Sequence, residues 1–182
     1  KAGIGYGGSC FPKDTKALKF IAKQHGYTLK TVEAAVDVNE EQKTKLFHKA
    51  CDRMITFRNL KVAVLGLAFK PGTDDLREAP SVDNLRLLLD GGANICAYDP
   101  VAEKKSRKKF PEGVCGNGSM AYVSTLEMAL EGANICFIFT EWKEIKELEA
   151  KQFARLMQTP LVYDGRNIYK PEEMKACGVE YY

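Results

Sequence analysis

The residues best equipped for chemistry stand together near the start of the chain, in Gly3-Ile4-Gly5-Tyr6-Gly7-Gly8-Ser9-Cys10-Phe11-Pro12-Lys13-Asp14. Four glycines in six residues let the backbone take positive φ and lie bare, so that a polar ligand can rest against main-chain N–H groups. Lys1, Ala2, Gly3, Ile4, Gly5, Tyr6 and Gly7 form the candidate substrate cradle. Pro12, with its fixed φ and missing N–H, suits the first turn of a helix continuing through Lys13–Lys23. That placement seats Cys10 at a helix N-terminus, where the macrodipole favours an anion and Lys13 adds a positive charge. Its thiol is therefore expected to ionise easily. A thiolate beside a bare glycine loop is the makeup of a nucleophile, and Asp14 could act as base for a water that later releases an acylated sulfur. A small structural cysteine at the head of a helix fits the same local pattern.

Two later stretches could bind ligand. The loop Gly66-Leu67-Ala68-Phe69-Lys70-Pro71-Gly72-Thr73-Asp74-Asp75-Leu76-Arg77-Glu78 follows a strand, where open α/β sheets hold their ligands. It is not the dinucleotide fingerprint GxGxxG. Lys70 replaces a third glycine and offers charge to a phosphate, while Phe69 offers a face to a base or sugar. The plain alternative is a solvated loop with Arg77 paired to Glu78 or Asp75. Asp99 stands where a Rossmann acid would hold a ribose hydroxyl, but 33 residues beyond Gly66 rather than about 20. Asp164-Gly165-Arg166 closes another strand, and on its own Arg166 reads as a surface arginine.

Composition narrows the class. At 182 residues the chain can bury a real core, and 45% apolar with 28% charged residues is that of an ordinary soluble protein. The net charge of +3 is spread along the chain. Its one basic cluster, Lys104–Lys109, lacks interleaved aromatics and reads as a solvated helix face, so no nucleic-acid partner is expected. The six cysteines show no CxxC spacing, and the two histidines, His25 and His48, fall in expected helices, so no metal site is expected. Cys96 and Cys136 lie in apolar strands as inert core residues. A reducing, cytoplasmic setting follows, and no segment approaches a membrane span or signal peptide. The start at Lys1, without a methionine, reads as a piece of a longer protein.

The elements that must position these residues are legible in part. After the first helix, closed by His25-Gly26, Thr28 offers an N-cap to a stripe of Val32, Ala35, Val36, Leu46, Phe47, Ala50 and Met54. One helix over Leu29–Phe57 would span about 40 Å, and Asn39, Gln42 and Lys43 interrupt its apolar stripe. Such a helix bridges domains or pairs with its own copy; two helices kinked near Asn39 is the alternative. From Lys61 the pattern becomes βαβ: strand 61–66, helix 82–89 after Pro80-Ser81, and strand 94–98. Ser124-Thr125-Leu126-Glu127 reads as a capping box. Gly132-Ala133-Asn134-Ile135-Cys136 then repeats Gly92-Ala93-Asn94-Ile95-Cys96 letter for letter, as expected of a doubly wound sheet. Strands follow at 135–139, 161–163 and 179–181, with helices near 143–148, 151–157 and 171–177; 113–122 reads as a loop with a short strand. The expected fold is α/β: a long connecting helix, then a Rossmann-like doubly wound parallel sheet. The expected division is 1–58 and 59–182.

Gly-Gly-Ser-Cys-Phe-Pro-Lys-Asp resembles the active-site signature of the UDP-glucose/GDP-mannose dehydrogenase family, most closely its UDP-glucose-oxidising members. The likeness extends along the whole chain and begins after the family's N-terminal NAD-binding domain. It implies a four-electron oxidation of UDP-glucose to UDP-glucuronate with two NAD, through a thiohemiacetal and thioester on Cys10, with Lys13 and Asp14 assisting. It implies that Phe69, Lys70 and Arg166 contact the UDP-sugar, that Arg77 reaches NAD, and that the long helix builds a homodimer. The second domain then grips the UDP part of the substrate. Because the family's other catalytic residues lie upstream, this polypeptide alone is expected not to turn over. GDP-mannose-oxidising members often carry Leu after the cysteine, so Phe11 favours UDP-glucose. A non-catalytic, dimerising nucleotide-sugar-binding fragment is the rival reading.

Overall fold

A computed structural model describes residues 3–182. Lys1 and Ala2, two members of the expected substrate cradle, lie outside the described residues. The chain divides into a helical arm and a sheet. In the arm, α1 (Phe11–Gln24) ends at His25, and Gly26 takes φ +70° to turn the chain away. The single long helix is not formed: α2 (Lys30–Lys43) and α3 (Lys45–Arg53) are separate, and the break falls at Thr44 rather than near Asn39. Buried anchors lie on both sides of that break, Asn39 and Lys43 before it and Leu46 and Ala50 after it. Thr28 is not a cap, since α2 has Leu29 at its N-cap and no side-chain cap bond.

The sheet runs β1 (Lys61–Leu65), α4 (Pro80–Asp90), β2 (Asn94–Tyr98), α5 (Glu103–Lys109), β3 (Gly113–Cys115), β4 (Gly118–Tyr122), α6 (Leu126–Leu130), β5 (Ile135–Ile138), α7 (Lys143–Lys146), α8 (Ala150–Leu156), β6 (Leu161–Asp164), α9 (Pro171–Ala176) and β7 (Glu180–Tyr181). The strand order is β3-β4-β2-β1-β5-β6-β7, parallel throughout except for the β3–β4 hairpin. This is the expected doubly wound α/β sheet. The region 113–122, read as a loop with a short strand, is that hairpin of two strands; β4 joins the sheet by pairing parallel with β2. Its alternation of buried Gly118, Met120 and Tyr122 is a strand signal masked by the glycines around it.

The repeated pentapeptide has a structural meaning. Each copy puts a glycine in the left-handed region, Gly92 at φ +84° and Gly132 at φ +65°, followed by a fully buried alanine and then the strand. The two strands, β2 and β5, flank β1 on opposite sides. The expected capping box is not formed: Thr125, not Ser124, is the N-cap of α6, its hydroxyl accepts from Met128 N at 3.2 Å, and Glu127 then falls one residue short of the reciprocal position.

β1, β5 and β6 are buried almost end to end, as central strands covered on both faces must be. Phe137 stacks on Tyr163 at 5.4 Å between them. Because β1 pairs with both β2 and β5, the chain leaves its carboxyl end at the point where strand order reverses. The loops after β1, β5 and β6 therefore rise on one edge of the sheet, the position at which such sheets open a crevice.

Candidate active site

Cys10 is the N-cap residue of α1, with Pro12 in the first turn, and its side chain is exposed. Its sulfur lies 3.8 Å from Ser9 Oγ. Lys13 and Asp14 pair with each other at 3.3 Å, both well exposed on the same turn.

The glycine loop before Cys10 is not bare. A Cβ on Gly3 would lie 3.2 Å from Gly165 O and 3.5 Å from an Arg166 nitrogen; one on Gly7 would meet Glu78 O at 2.3 Å; one on Gly8 would run into the Phe69 ring at 2.7 Å. These glycines are small because the rest of the protein closes on them. The expectation of an uncovered cradle is corrected to a cradle packed on one side by the loops after β1 and β6. Four hydrogen bonds fix it: Ile4 N to Gly165 O at 3.1 Å, Tyr6 N to Asn39 Oδ1 at 2.7 Å, Asn39 Nδ2 to Tyr6 O at 3.1 Å, and Gly8 N to Arg77 O at 2.8 Å.

The β1 loop brings Phe69 against Gly8 and Lys70 Nζ over the Phe69 ring at 5.3 Å. Arg77 is bidentate to Asp75, with Nε at 3.0 Å and Nη2 at 2.8 Å, and that pairing holds the guanidinium above its ordinary pKa. The negative charge of a Cys10 thiolate would act in the same direction. The Asp75–Arg77 pairing anticipated for a plain solvated loop is thus formed, in a loop that also holds the cysteine segment. Gly8, Ser9, Pro12, Lys13, Lys16, Arg77 and Glu78 line an open cleft of about 450 Å³ beside Cys10.

The β6 turn is built by Asp164. Its Oδ1 accepts from Arg166 N at 2.8 Å, and its Oδ2 from Ile168 N at 2.6 Å and Tyr181 Oη at 2.7 Å. Arg166 then reaches Glu141, after β5, donating from Nη2 at 2.7 Å and pairing through Nε. Burial pushes the Glu141 carboxyl up, but the Arg166 guanidinium outweighs it and holds the pKa below its ordinary value.

Asp99 has a different use from the one its position suggests. It is buried, and its Oδ2 accepts from Leu67 N at 2.6 Å, Ala68 N at 3.1 Å and Trp142 Nε1 at 3.0 Å. Its Oδ1 accepts from Val101 N and Ala102 N. Both oxygens are committed to shaping the start of the β1 loop, so this acid has no capacity left for a ribose diol.

The structure thus collects Cys10, Phe69, Lys70 and Arg77 at the β1 loop, and Arg166 at the other end of the same glycine segment. Sequence reasoning missed what holds them. Asn39 and Lys43 were visible only as polar interruptions of a helical stripe, and Glu78 only as a candidate partner for Arg77. Glu78 in fact pairs with Lys43 at 2.5 Å and Lys16 at 3.2 Å. Glu141, one residue in a short loop, carried no local signal. Among the described residues no cluster of three His, Cys, Asp or Glu side chains could hold a metal, and no helix is long and apolar enough to cross a membrane.

Comparison with known proteins identifies the family. Residues 63–171 match the UDP binding domain of the UDP-glucose/GDP-mannose dehydrogenase family, and residues 1–41 match that family's central domain. The chain is 42% identical over all 182 residues to UDP-glucose 6-dehydrogenase TuaD of Bacillus subtilis, and 42% identical over 181 residues to UDP-glucose 6-dehydrogenase of Pseudomonas aeruginosa. It spans 38% and 40% of their respective lengths. Among solved structures it is similar to a UDP-glucose dehydrogenase from Pyrobaculum islandicum, with 35% identity, a TM-score of 0.81, and coverage of 94% of this chain and 37% of that one. It is also similar to GDP-mannose dehydrogenase from Pseudomonas aeruginosa, at 27% identity, a TM-score of 0.72, and coverage of 91% and 37%. A family domain covering most of the sheet, with the central-domain match ahead of it, makes this chain a member of the UDP-glucose/GDP-mannose dehydrogenase family.

Proposed function

We propose that the chain is the substrate-holding, nucleophile-bearing portion of an NAD-dependent enzyme that oxidises UDP-glucose to UDP-glucuronate. The observation that carries this reading is the convergence of three loops on one sheet edge. Cys10 is presented at the start of α1, Phe69 and Arg77 pack beside Gly8, and Arg166 lies beside Gly3. The family match and the similarity to relatives named UDP-glucose 6-dehydrogenases support the substrate, and Phe11 favours it over GDP-mannose.

The residues assign themselves by chemistry. The backbone of Gly3–Gly7, with Phe69, Lys70 and Arg166, holds the UDP-sugar, the two cations facing its phosphates. Lys1 and Ala2 extend that segment. Two NAD, bound one after the other, would each accept one hydride. Arg77 suits a contact with the cofactor's phosphates, and the commitment of both Asp99 oxygens leaves this domain's own crevice to the UDP moiety. Loss of hydride and a proton from the primary alcohol gives an aldehyde. The Cys10 sulfur adds to its carbon, and the oxygen takes up a proton to form a thiohemiacetal. Loss of the remaining hydride from that carbon, and of the hydroxyl proton, leaves a thioester. Water then attacks as Asp14 takes one of its protons and the carbon–sulfur bond breaks, returning the thiolate; the carboxylic acid so formed loses its own proton to solvent, leaving the carboxylate. Lys13 keeps positive charge near the sulfur.

The arm forms a homodimer in this reading, supported by the exposure of Leu18, Phe20 and Ile21 on α1 and Val38 on α2. Six free thiols support a reducing, cytoplasmic setting. Peptide-resolved iodoacetamide labelling at slightly acid pH tests the nucleophile. Cys10 is expected to react before the other five cysteines and to be protected by UDP-glucose. Labelling no faster than at exposed Cys51 and Cys177, with no protection, overturns the reading.

A further inference from the structure

Two polar side chains on the inner face of α2 remain without a part in that chemistry. Asn39 and Lys43, one helical turn apart, are 5% and 4% exposed. Buried polar groups of this kind persist where their hydrogen-bonding capacity is filled; Glu40 and Glu78 fill it for Lys43, and the cysteine segment fills it for Asn39. Asn39 Oδ1 accepts from Tyr6 N at 2.7 Å, and Asn39 Nδ2 donates to Tyr6 O at 3.1 Å. The carboxamide holds both main-chain groups of one residue, as a neighbouring β-strand would, and so fixes that residue in position and rotation.

The fit is mutual. Gly5 takes φ +93°, and a Cβ there would stand 2.7 Å from Asn39 Oδ1. Tyr6 passes the constraint on, since its ring lies 5.8 Å from that of Phe11, the residue next to Cys10. The flanking pins, Gly165 O on Ile4 and Arg77 O on Gly8, are main-chain carbonyls. Asn39 is a side chain and can be altered without changing the backbone it serves. One turn further along α2, Lys43 reaches Glu78, the neighbour of the Arg77 carbonyl that holds Gly8.

We propose that Asn39 is a positioning residue for the Cys10 nucleophile, its carboxamide setting the path of the glycine segment so that the sulfur is presented at the sheet edge. This rests on the functional reading of Cys10 given above. The helix read from sequence as a connector is then also the rigid platform of the reactive group. A carboxamide of this length is required: aspartate keeps the acceptor and loses the donor, while alanine loses both.

Two measurements on wild-type, Asn39→Ala and Asn39→Asp chains separate this inference from the reading beneath it. The first is peptide-resolved hydrogen exchange over residues 4–9. The second is the rate of iodoacetamide labelling at Cys10 relative to Cys51 and Cys177. Asn39→Ala is expected to raise exchange in the 4–9 peptide at least tenfold, leave peptides of β1 and β5 within twofold, and reduce the Cys10 rate advantage at least fivefold. Asn39→Asp, which keeps the acceptor and carries the test should the alanine variant unfold the arm, falls between them on both measures. If the substitutions leave both segment exchange and Cys10 selectivity within twofold of wild type, the inference is overturned. If the wild-type chain shows no Cys10 advantage, the functional reading falls instead, and exchange in the 4–9 peptide decides the positioning claim by itself.

Discussion

The helical arm and the sheet are held together in opposite ways. Every residue of β5 and of β6 is buried, whereas in α1, the longest helix together with α2, Pro12 is the buried residue. α2 buries no apolar side chain at all; its buried residues are Asn39 and Lys43. The sheet is therefore maintained by volume and apolar area, which α3 shares through Leu46 and Ala50, while α2 is fixed through directional polar contacts: Asn39 on Tyr6, Lys43 on Glu78, and Asn84 Nδ2 on Lys43 O. The candidate site lies on the seam between the two. Packing should thus govern whether the protein folds, and polar geometry whether the cysteine segment is correctly placed.

The largest effect should come from the sheet. Phe137→Ala removes a fully buried ring stacked on Tyr163 and is expected to cost about 3–5 kcal/mol. Urea denaturation should show arm and sheet lost together; a cost below about 1 kcal/mol would mean that the sheet core is not close-packed there.

A smaller, pH-dependent effect is expected at the seam. The hydrogen bond from Lys43, with a further contribution from Lys16, holds Glu78 below its ordinary 4.5, against the opposing effect of burial. A depressed carboxylate adds stability that is complete above the ordinary value and is lost as pH falls below 4.5 through the folded pKa. Burial alone would lower the Lys43 pKa, but Glu78 and Glu40 together keep it above its ordinary 10.5, so no loss arises from Lys43 in this acid range. With Glu78 one-third exposed, the contribution is about 1 kcal/mol. Urea midpoints between pH 6 and 3 should fall less steeply in Glu78→Gln than in wild type. Parallel slopes would remove the ion pair from the account.

The smallest effect on stability belongs to the outer face of the arm. Phe20→Ser, at a site 62% exposed, should change the stability of the monomer by no more than about 0.5 kcal/mol. Sedimentation velocity should nevertheless show weaker self-association, and an unchanged dimer would place the partner surface elsewhere.

The same contrast explains what was legible in the sequence. Strands β1, β5 and β6 were readable because burial on both faces imposes continuous apolar runs, and β2, buried only at alternate positions, because its approach repeats the Gly-Ala-Asn-Ile-Cys that leads into β5. The β3–β4 hairpin was obscured because its strands are short and glycine-rich. The helix break at Thr44 has no Gly or Pro to announce it. At the site, the glycines around Cys10 signalled close approach, but not by what. Their neighbours, Phe69, Glu78 and Gly165, are distant in sequence and meet them only through the topology. Asp99 was visible as an acid at a strand end; its five backbone and indole partners were not, because they come from the loops after β1, β2 and β5.

The central claim is that the glycine segment, the β1 loop and the Asp164-Gly165-Arg166 turn form one UDP-sugar site. Titration calorimetry of the chain with UDP-glucose and with GDP-mannose tests it most directly, repeated on Arg166→Ala. The account predicts saturable binding of UDP-glucose, at least tenfold weaker binding of GDP-mannose, and at least tenfold loss of UDP-glucose affinity in Arg166→Ala. No heat with UDP-glucose at millimolar concentration, or an affinity indifferent to Arg166, would contradict it.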